Sequence, residues 1–331
     1  MARKLVAVPE WTVGVDFGGT NVKVGLVSST GRVEAIRVLA SQEVGRPARF
    51  VASLGEAVGR LARSVGERPS TLRGVGVGVP GPVDVRRDVV ECLVNVPGWR
   101  RVPLRRLLER RLRCRCAVDN DANLAALGEF AFGAGRGAAC LVCLTLGTGV
   151  GGGLVLDGSL VHGAGGAAGE VGHMVIDPRG PRCGCGARGC LEAHVGTKAL
   201  LRMGRRAIRQ GAGPLRRLSQ ASGGGLTPEL LSRAARLGDA RAQRIWSAFG
   251  RWLGIGVANL ANLLNPDRVV LGGGVAGAWS LFYPSLSRTV RAQALGPAVR
   301  AVRIVRARLG TRAGVVGAAV LIWKGTGGKP A

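Results

Sequence analysis

Aromatic side chains make up only 4% of this 331-residue chain, and tyrosine occurs once. The cores must therefore be built from Val, Leu, Ala and Ile, which the 47% hydrophobic content supplies. The same scarcity removes the faces on which nucleic-acid bases stack. Lysine is also rare, confined to positions 4, 23, 198, 324 and 329, so the formal net charge of +27 is almost all arginine. A charge of that size fits a polyanion partner: nucleic acid, polyphosphate or a membrane surface. The arginines are dispersed, however, as at Arg100-Arg101, Arg105-Arg106, Arg110-Arg111 and Arg205-Arg206. Dispersed charge reads better as solvated helix faces, and nucleic acid is not expected as a partner. The first ten residues hold no apolar core segment, so no export signal is expected. The uncharged stretch 138–156 carries Gly147, Gly149, Gly151, Gly152 and Gly153 at its middle. It reads as two buried strands joined by a glycine turn rather than as a membrane span. A cytoplasmic protein without membrane contact is expected, and the length suits one large domain or two medium ones.

What is present is chemically pointed. Glu170-Val-Gly-His173 is followed by Cys183, Cys185 and Cys190 at C-x-C-x4-C spacing, and then by Glu192. Three thiols and an imidazole are the donor set of a closed structural zinc site. The intervening glycines let the backbone fold tightly enough for the sulfurs to converge. A surface thiol cluster or a disulfide are the other readings, and His173 joins the set only by proximity. Cys92, Cys114, Cys116, Cys140 and Cys143 lie in apolar or strand-like surroundings and read as ordinary reduced residues. Glu170 and Glu192 flank the ligands, which suggests a polar small-molecule site beside the metal.

Residues 11–17 form an apolar strand with Asp16 near its end, Gly18-Gly19-Thr20-Asn21 a tight turn, and 22–27 a returning strand. No helix follows the glycines, which separates this unit from a P-loop or a dinucleotide fingerprint. A second hairpin repeats the form, with strands 140–146 and 150–156 around Gly147-Thr148-Gly149, and the echo suggests a duplicated architecture. Bare N–H groups at such corners, with the Thr20 and Thr148 hydroxyls, can cradle phosphate oxygens. Asp16 beside the first corner could hold Mg²⁺. A third glycine cluster, Gly272-Gly273-Gly274, follows a strand over 269–271. Helices are expected over 46–66, 103–113, 196–210, 228–264 and 312–324, with a further strand over 73–79. The run Asp119-Asn120-Asp121 precedes a helix reaching Phe132. Any of the three could cap that helix. Asp121 could equally take a proton from a substrate hydroxyl that Asn120 orients. Spacing alone does not choose.

Taken together, these residues resemble the ROK family of sugar kinases, within the actin-like ATPase/hexokinase superfamily. The resemblance rests on Asp16-Phe-Gly-Gly-Thr20, Gly78-Val-Pro-Gly-Pro82, Asn120-Asp-Ala-Asn123, Leu146-Gly-Thr-Gly-Val-Gly-Gly-Gly153, Glu170-Val-Gly-His173, the cysteine segment with Leu191-Glu192, and Gly272-Gly-Gly274, in family order from about residue 11 to 320. It implies an α/β protein of the two-domain actin-like (ribonuclease H-like) fold, with a central sugar and nucleotide cleft and a structural zinc loop over 173–190. The small domain would be residues 1–122, completed by the helix 312–326, and the large domain 123–311. The resemblance implies ATP as phosphoryl donor with Mg²⁺ and structural Zn²⁺, and transfer to the 6-hydroxyl of glucose. Asp121 would be the general base. Asn95, Asn120, Asp121, Glu170, His173 and Glu192 would bind the sugar. Asp16, Gly18, Gly19, Thr20, Gly147, Thr148 and Gly149 would serve the phosphates, and Gly273 would lie near the adenosine. His173 would ligate zinc with Cys183, Cys185 and Cys190 while its other ring nitrogen meets sugar. N-acetylmannosamine, N-acetylglucosamine or fructose are alternative acceptors, polyphosphate an alternative donor, and a non-catalytic sugar-sensing regulator the alternative of another class. ROK repressors carry a helix-turn-helix ahead of this fold, and only ten residues precede the first strand here, so an enzyme is expected. A homodimer or higher homo-oligomer is expected from the family.

Overall fold

The two glycine-cornered hairpins are present in the computed structural model, which describes residues 10–19, 21–41, 45–93, 96, 98–211 and 213–325. The first run of elements is β1 (Trp11–Phe17), β2 (Asn21–Ser28), β3 (Val33–Ala40), α1 (Pro47–Arg63), β4 (Val75–Val79), β5 (Val83–Asp84), β6 (Val89–Cys92), β7 (Arg100–Val102), α2 (Leu104–Leu112), β8 (Cys116–Asn120) and α3 (Asp121–Phe132). The second is β9 (Cys140–Leu146), β10 (Val150–Leu156), β11 (Ser159–Leu160), α4 (Leu191–Val195), α5 (Thr197–Arg209), α6 (Pro214–Ala221), α7 (Pro228–Arg236), α8 (Ala240–Leu264), β12 (Arg268–Gly272), α9 (Trp279–Gln293), α10 (Gly296–Ala301), β13 (Arg303–Arg306) and α11 (Ala313–Lys324). The two large sheets have the orders β3-β2-β1-β4-β8 and β11-β10-β9-β12-β13. In each, the first hairpin strand is central and pairs in parallel with the strand on its far side. The duplication suggested by the hairpins thus recurs in strand order. The antiparallel β5-β6-β7 sheet was not anticipated from the sequence, nor were β3, α6 and β13.

Contacts divide the chain into two units: 1–137 with 153–169 and 308–331, and 138–152 with 170–307. A boundary at residue 122 assigns α3 to the second unit, whereas the contacts group it with the first, because it packs on α11 and β4. In the first unit, α1 and α2 cover one face of the sheet. There Phe17 stacks on Phe50 at 5.0 Å between centroids, with Trp99 edge-on to both. Trp99 Nε1 donates to the Gly45 carbonyl at 2.7 Å, which fixes the third ring of this aromatic joint.

The other face carries α3 and α11 in unusually close approach. A Cβ on Gly14 or Gly76 would lie 1.9 Å from the carbonyl oxygen of Val315 or Ala318, and one on Gly317 would lie 1.7 Å from that of Leu124. The buried Glu129 secures the entry to α11. Its carboxylate accepts from the backbone N–H of Ala134 at 2.8 Å, Arg308 at 3.0 Å and Leu309 at 2.7 Å.

In the second unit, Trp246, Phe249 and Phe282 meet between α8 and α9, with centroids 5.4 and 5.2 Å apart along the chain of contacts. The expected helix over 228–264 is two helices. Gly238 adopts φ +85°, and the Asp239 carboxylate caps α8 through Arg241 N and Ala242 N, each at 3.0 Å. Among the described residues no helix is long and apolar enough to cross a membrane, and the uncharged 138–156 stretch contains the β9–β10 hairpin.

Replacing Gly14 or Gly317 by alanine should destabilise the protein by about 3 kcal/mol or more, since only backbone atoms stand in the way. Gly277→Ala meets nothing within 4 Å and should leave stability nearly unchanged. Thermal unfolding of the three variants checks this, and a Gly14→Ala midpoint equal to that of Gly277→Ala contradicts it.

Candidate functional site

The first unit holds one group of candidate residues. At the end of β1, Gly18 N donates to Asn21 O at 3.0 Å, and the Ser41 hydroxyl donates to Gly18 O at 2.9 Å, which closes the corner. Thr20 and Asn95 lie outside the described residues. Asp16 Oδ2 is 3.8 Å from Lys23 Nζ, and a Cβ on Gly314, in the first turn of α11, would come within 2.8 Å of Asp16 Cγ. Burial pushes the Asp16 carboxyl up, and the Lys23 ammonium opposes that.

The junction of β8 and α3 resolves the question of which residue caps. Asn120 is the N-cap: its Oδ1 accepts from Ala122 N at 2.9 Å and Asn123 N at 3.2 Å, while Nδ2 donates to Gly81 O at 3.2 Å. Asp119 is buried and turned to another task. Its Oδ1 accepts from Asn120 N at 2.7 Å and Asn123 Nδ2 at 2.9 Å, and its Oδ2 is 2.7 Å from His162 Nε2. Asp121 is the first residue of α3 and is half-buried. Its Oδ1 shares the Ala122 N–H with Asn120, at 2.9 Å, and its carboxylate stands at the positive end of the helix.

The second unit gathers the other group. Glu192 Oε2 accepts from Val150 N at 3.0 Å, immediately after the Gly147-Thr148-Gly149 corner. Its other oxygen is 3.9 Å from Cys183 Sγ, so one carboxylate links the hairpin corner to the cysteine loop. Thr197 adds a second link, donating from both its N–H and its hydroxyl to Gly147 O at 3.0 and 2.7 Å. Gly273, at φ +83°, packs so closely on Leu146 that a Cβ would be 2.2 Å from its carbonyl oxygen. The third glycine cluster is thereby brought against the second corner. Gly172 backs onto Val150 in the same way, which places Glu170 and His173 beside β10. Thr148, Glu170 and His173 are exposed.

The metal-type donors converge as the spacing predicts. His173, Cys183, Cys185 and Cys190 place one ligand atom each within 4.8 Å of the others. The Cys185–Cys190 sulfurs are 3.7 Å apart, and Cys183 Sγ is 3.7 Å from His173 Nδ1. Ligands about 2.3 Å from a tetrahedral zinc stand about 3.8 Å from one another, so the set has the dimensions of a zinc site and is far too open for a disulfide. The charge logic agrees. Burial pushes the Cys190 thiol up to about 12 and raises that of Cys183, while the Ala187 backbone lowers that of Cys185, so holding all three as thiolates calls for a divalent cation. The residues fit Zn²⁺, which would tie the loop together. The ring of His173 turns Nε2 toward Glu170 Oε2, 4.0 Å away. The five other cysteines form no disulfide.

His162, the carrying role of Asp119 and the Thr197 clasp have no counterpart in the sequence reading. A lone histidine has no spacing signature, and Asp119 read only as one of three possible caps.

Cys185→Ser should remove zinc from the purified protein, from about one ion per chain to near none, and lower the unfolding temperature. Metal analysis decides it, and an unchanged zinc content rules the assignment out.

The chain is similar to sugar kinases over most of its length. It is 35% identical over 313 residues to a glucokinase of Halalkalibacterium halodurans, spanning 94% of each chain. A ROK hexokinase structure from Thermus thermophilus superimposes with a TM-score of 0.76 at 36% identity, over 94% of this chain and 97% of that one. A ROK family glucokinase from Streptomyces griseus, in complex with glucose and AMPPNP, gives 0.80 at 34% identity, over 95% and 100%. The fold is the α/β actin-like fold of those kinases. With residues 12–324 matching the family's sequence pattern, the chain belongs to the ROK family.

Proposed function

We propose that this protein is an ATP-dependent hexose kinase that phosphorylates the 6-hydroxyl of glucose. The observation that carries the reading is the β8–α3 junction. Asn120 is the N-cap, and the half-buried Asp121 carboxylate, whose Oδ1 also accepts from Ala122 N at 2.9 Å, lies beside it at the helix start. Asp121 is the general base that accepts the hydroxyl proton as the oxygen attacks phosphorus. Asn120 keeps one amide N–H beyond its bond to Gly81 O, enough to orient a sugar hydroxyl. Glu170, His173 and Glu192 bind further hydroxyls. His173 suits two tasks, with Nδ1 on the sulfur side and Nε2 turned away from it. The Gly147-Thr148-Gly149 corner and Gly273, joined through Leu146, serve the nucleotide, and Gly18, Gly19 and Asp16 serve the phosphates at the other corner. Mg²⁺ bound with ATP would offset phosphate charge, and positioning carries most of the remaining catalysis. Glucose is supported by the glucokinase relatives, among them one crystallised with glucose and an ATP analogue. We place the protein in the cytoplasm, as a homo-oligomer.

The net charge of +27 favours a second reading on one point only, polyphosphate as donor. A coupled assay with ATP or polyphosphate, across glucose, N-acetylmannosamine, N-acetylglucosamine and fructose, tests both. ATP-dependent turnover of glucose above the others supports the proposal. Turnover only with polyphosphate transfers the donor assignment, and no turnover with zinc-replete protein points to a sugar-sensing regulator. Asp121→Ala should lower kcat by about 10²- to 10⁴-fold with sugar affinity nearly intact. Thr148→Val should raise KM for ATP more than for sugar, and equal shifts would remove Thr148 from the phosphate site.

A further inference from the structure

The segment 153–169 crosses into the first unit between β10 and Glu170, and it carries one ionisable side chain directed at the β8–α3 junction: His162. We infer that His162 is a positioning residue for the proposed reaction, holding through Asp119 the Asn120-Asp121 turn in its working geometry. The inference rests on the kinase reading given above.

The geometry is a relay of short bonds. His162 Nε2 meets Asp119 Oδ2 at 2.7 Å, and Asp119 Oδ1 in turn accepts from the Asn120 backbone at 2.7 Å and the Asn123 amide at 2.9 Å. Asn120 and Asn123 lie on either side of Asp121 and are held by the same buried carboxylate. Asp119 is 1% exposed, and a buried carboxylate must be paired to persist. With two neutral amide donors on Oδ1, the imidazole supplies the cationic partner on Oδ2. A neutral ring could still donate one N–H, but it would leave the buried charge without a counterion.

The pair is reachable by solvent protons. Asp119 and His162 line a cavity of about 980 Å³ within the first unit. The other charged groups on its walls are Asp84, Arg86, Arg87 and Asp88 from the β5–β6 turn, Arg105 from α2 and Lys324 from α11. Arg105 is paired with Asp88, Arg87 lies 3.6 Å from Asp84, and Lys324 Nζ donates to Gly158 O. Asp119 is the carboxylate bonded to the ring. Its hydrogen bond raises the His162 pKa above the ordinary histidine value; burial works against this and the Asp119 charge adds to it. The pairing thus favours the charged ring, and that form is lost as pH rises through the elevated value.

Two measurements test this separately. In the first, kcat and KM for glucose and ATP are followed against pH in the wild type and in His162→Gln, which keeps an N–H donor but no charge. The wild type should lose kcat on the alkaline side. His162→Gln should lack that limb and show kcat lowered by about ten- to a hundredfold with KM for ATP unchanged. In the second, the imidazole is titrated by NMR in the apoprotein, its signal assigned by its absence in His162→Gln. It should titrate above the ordinary histidine range and return toward it in Asp119→Asn. This readout needs no turnover, so an inactive wild type would sink the kinase reading while leaving the pair testable. A variant that folds, as judged by its zinc content and unfolding temperature, yet keeps the wild-type kcat and alkaline limb would overturn the positioning role. A wild-type His162 titrating at the ordinary value would overturn the ion pair.

Discussion

The fold of the first unit depends on how near α11 can come to the sheet. Where Gly14 and Gly76 present no side chain, the carbonyls of Val315 and Ala318 occupy the space that a Cβ would fill. Gly317 allows the same intimacy with α3. Backbone-to-backbone packing of this kind leaves no slack, because bond lengths rather than flexible side chains set the spacing. The position of Asp121 at the start of α3, and of Asp16 against Gly314, follows from that spacing. Glu129 completes the constraint by fixing Arg308 and Leu309 ahead of α11.

The second unit adds charge to close backbone contact. One carboxylate, Glu192, touches both the β10 backbone and the edge of the sulfur cluster. The hairpin corner is held again by Thr197, and Gly273 is pressed onto Leu146. A metal at the cysteines would therefore act on the corner through a short chain of bonds. In this way the thiol cluster and the glycine corner, far apart in sequence, become parts of one construction.

Much of this was legible in the sequence because glycines, cysteines and carboxylates leave local signatures. Both hairpins and the strand-to-helix turn at 119–121 were placed by local pattern, and the three cysteines by spacing, with His173 added by its proximity. What escaped has a physical reason in each case. In β3 the exposed residues Glu34, Ile36, Arg37 and Val38 fall on both faces of the strand and the rest are only half-buried, so no alternation of polar and apolar residues marks it. β5, β6 and β7 are two to four residues long, below the length at which periodicity speaks. The break before α8 is written in Gly238-Asp239, a turn followed by a cap, within an otherwise helical pattern. The assignment of α3 to the first unit depends on a partner nearly two hundred residues later, and no local window contains it. His162 escaped for the same reason: its meaning is Asp119, which comes from β8, more than forty residues earlier.

The contact between β1 and α11 also orders events in time. The helix that seals one face of the first sheet is made about three hundred residues after β1. Until it arrives, Val13 to Phe17 and their neighbours present a glycine-lined furrow to solvent on that side. Docking of α11 is therefore a non-local step, and completion of the sheet's cover waits on it.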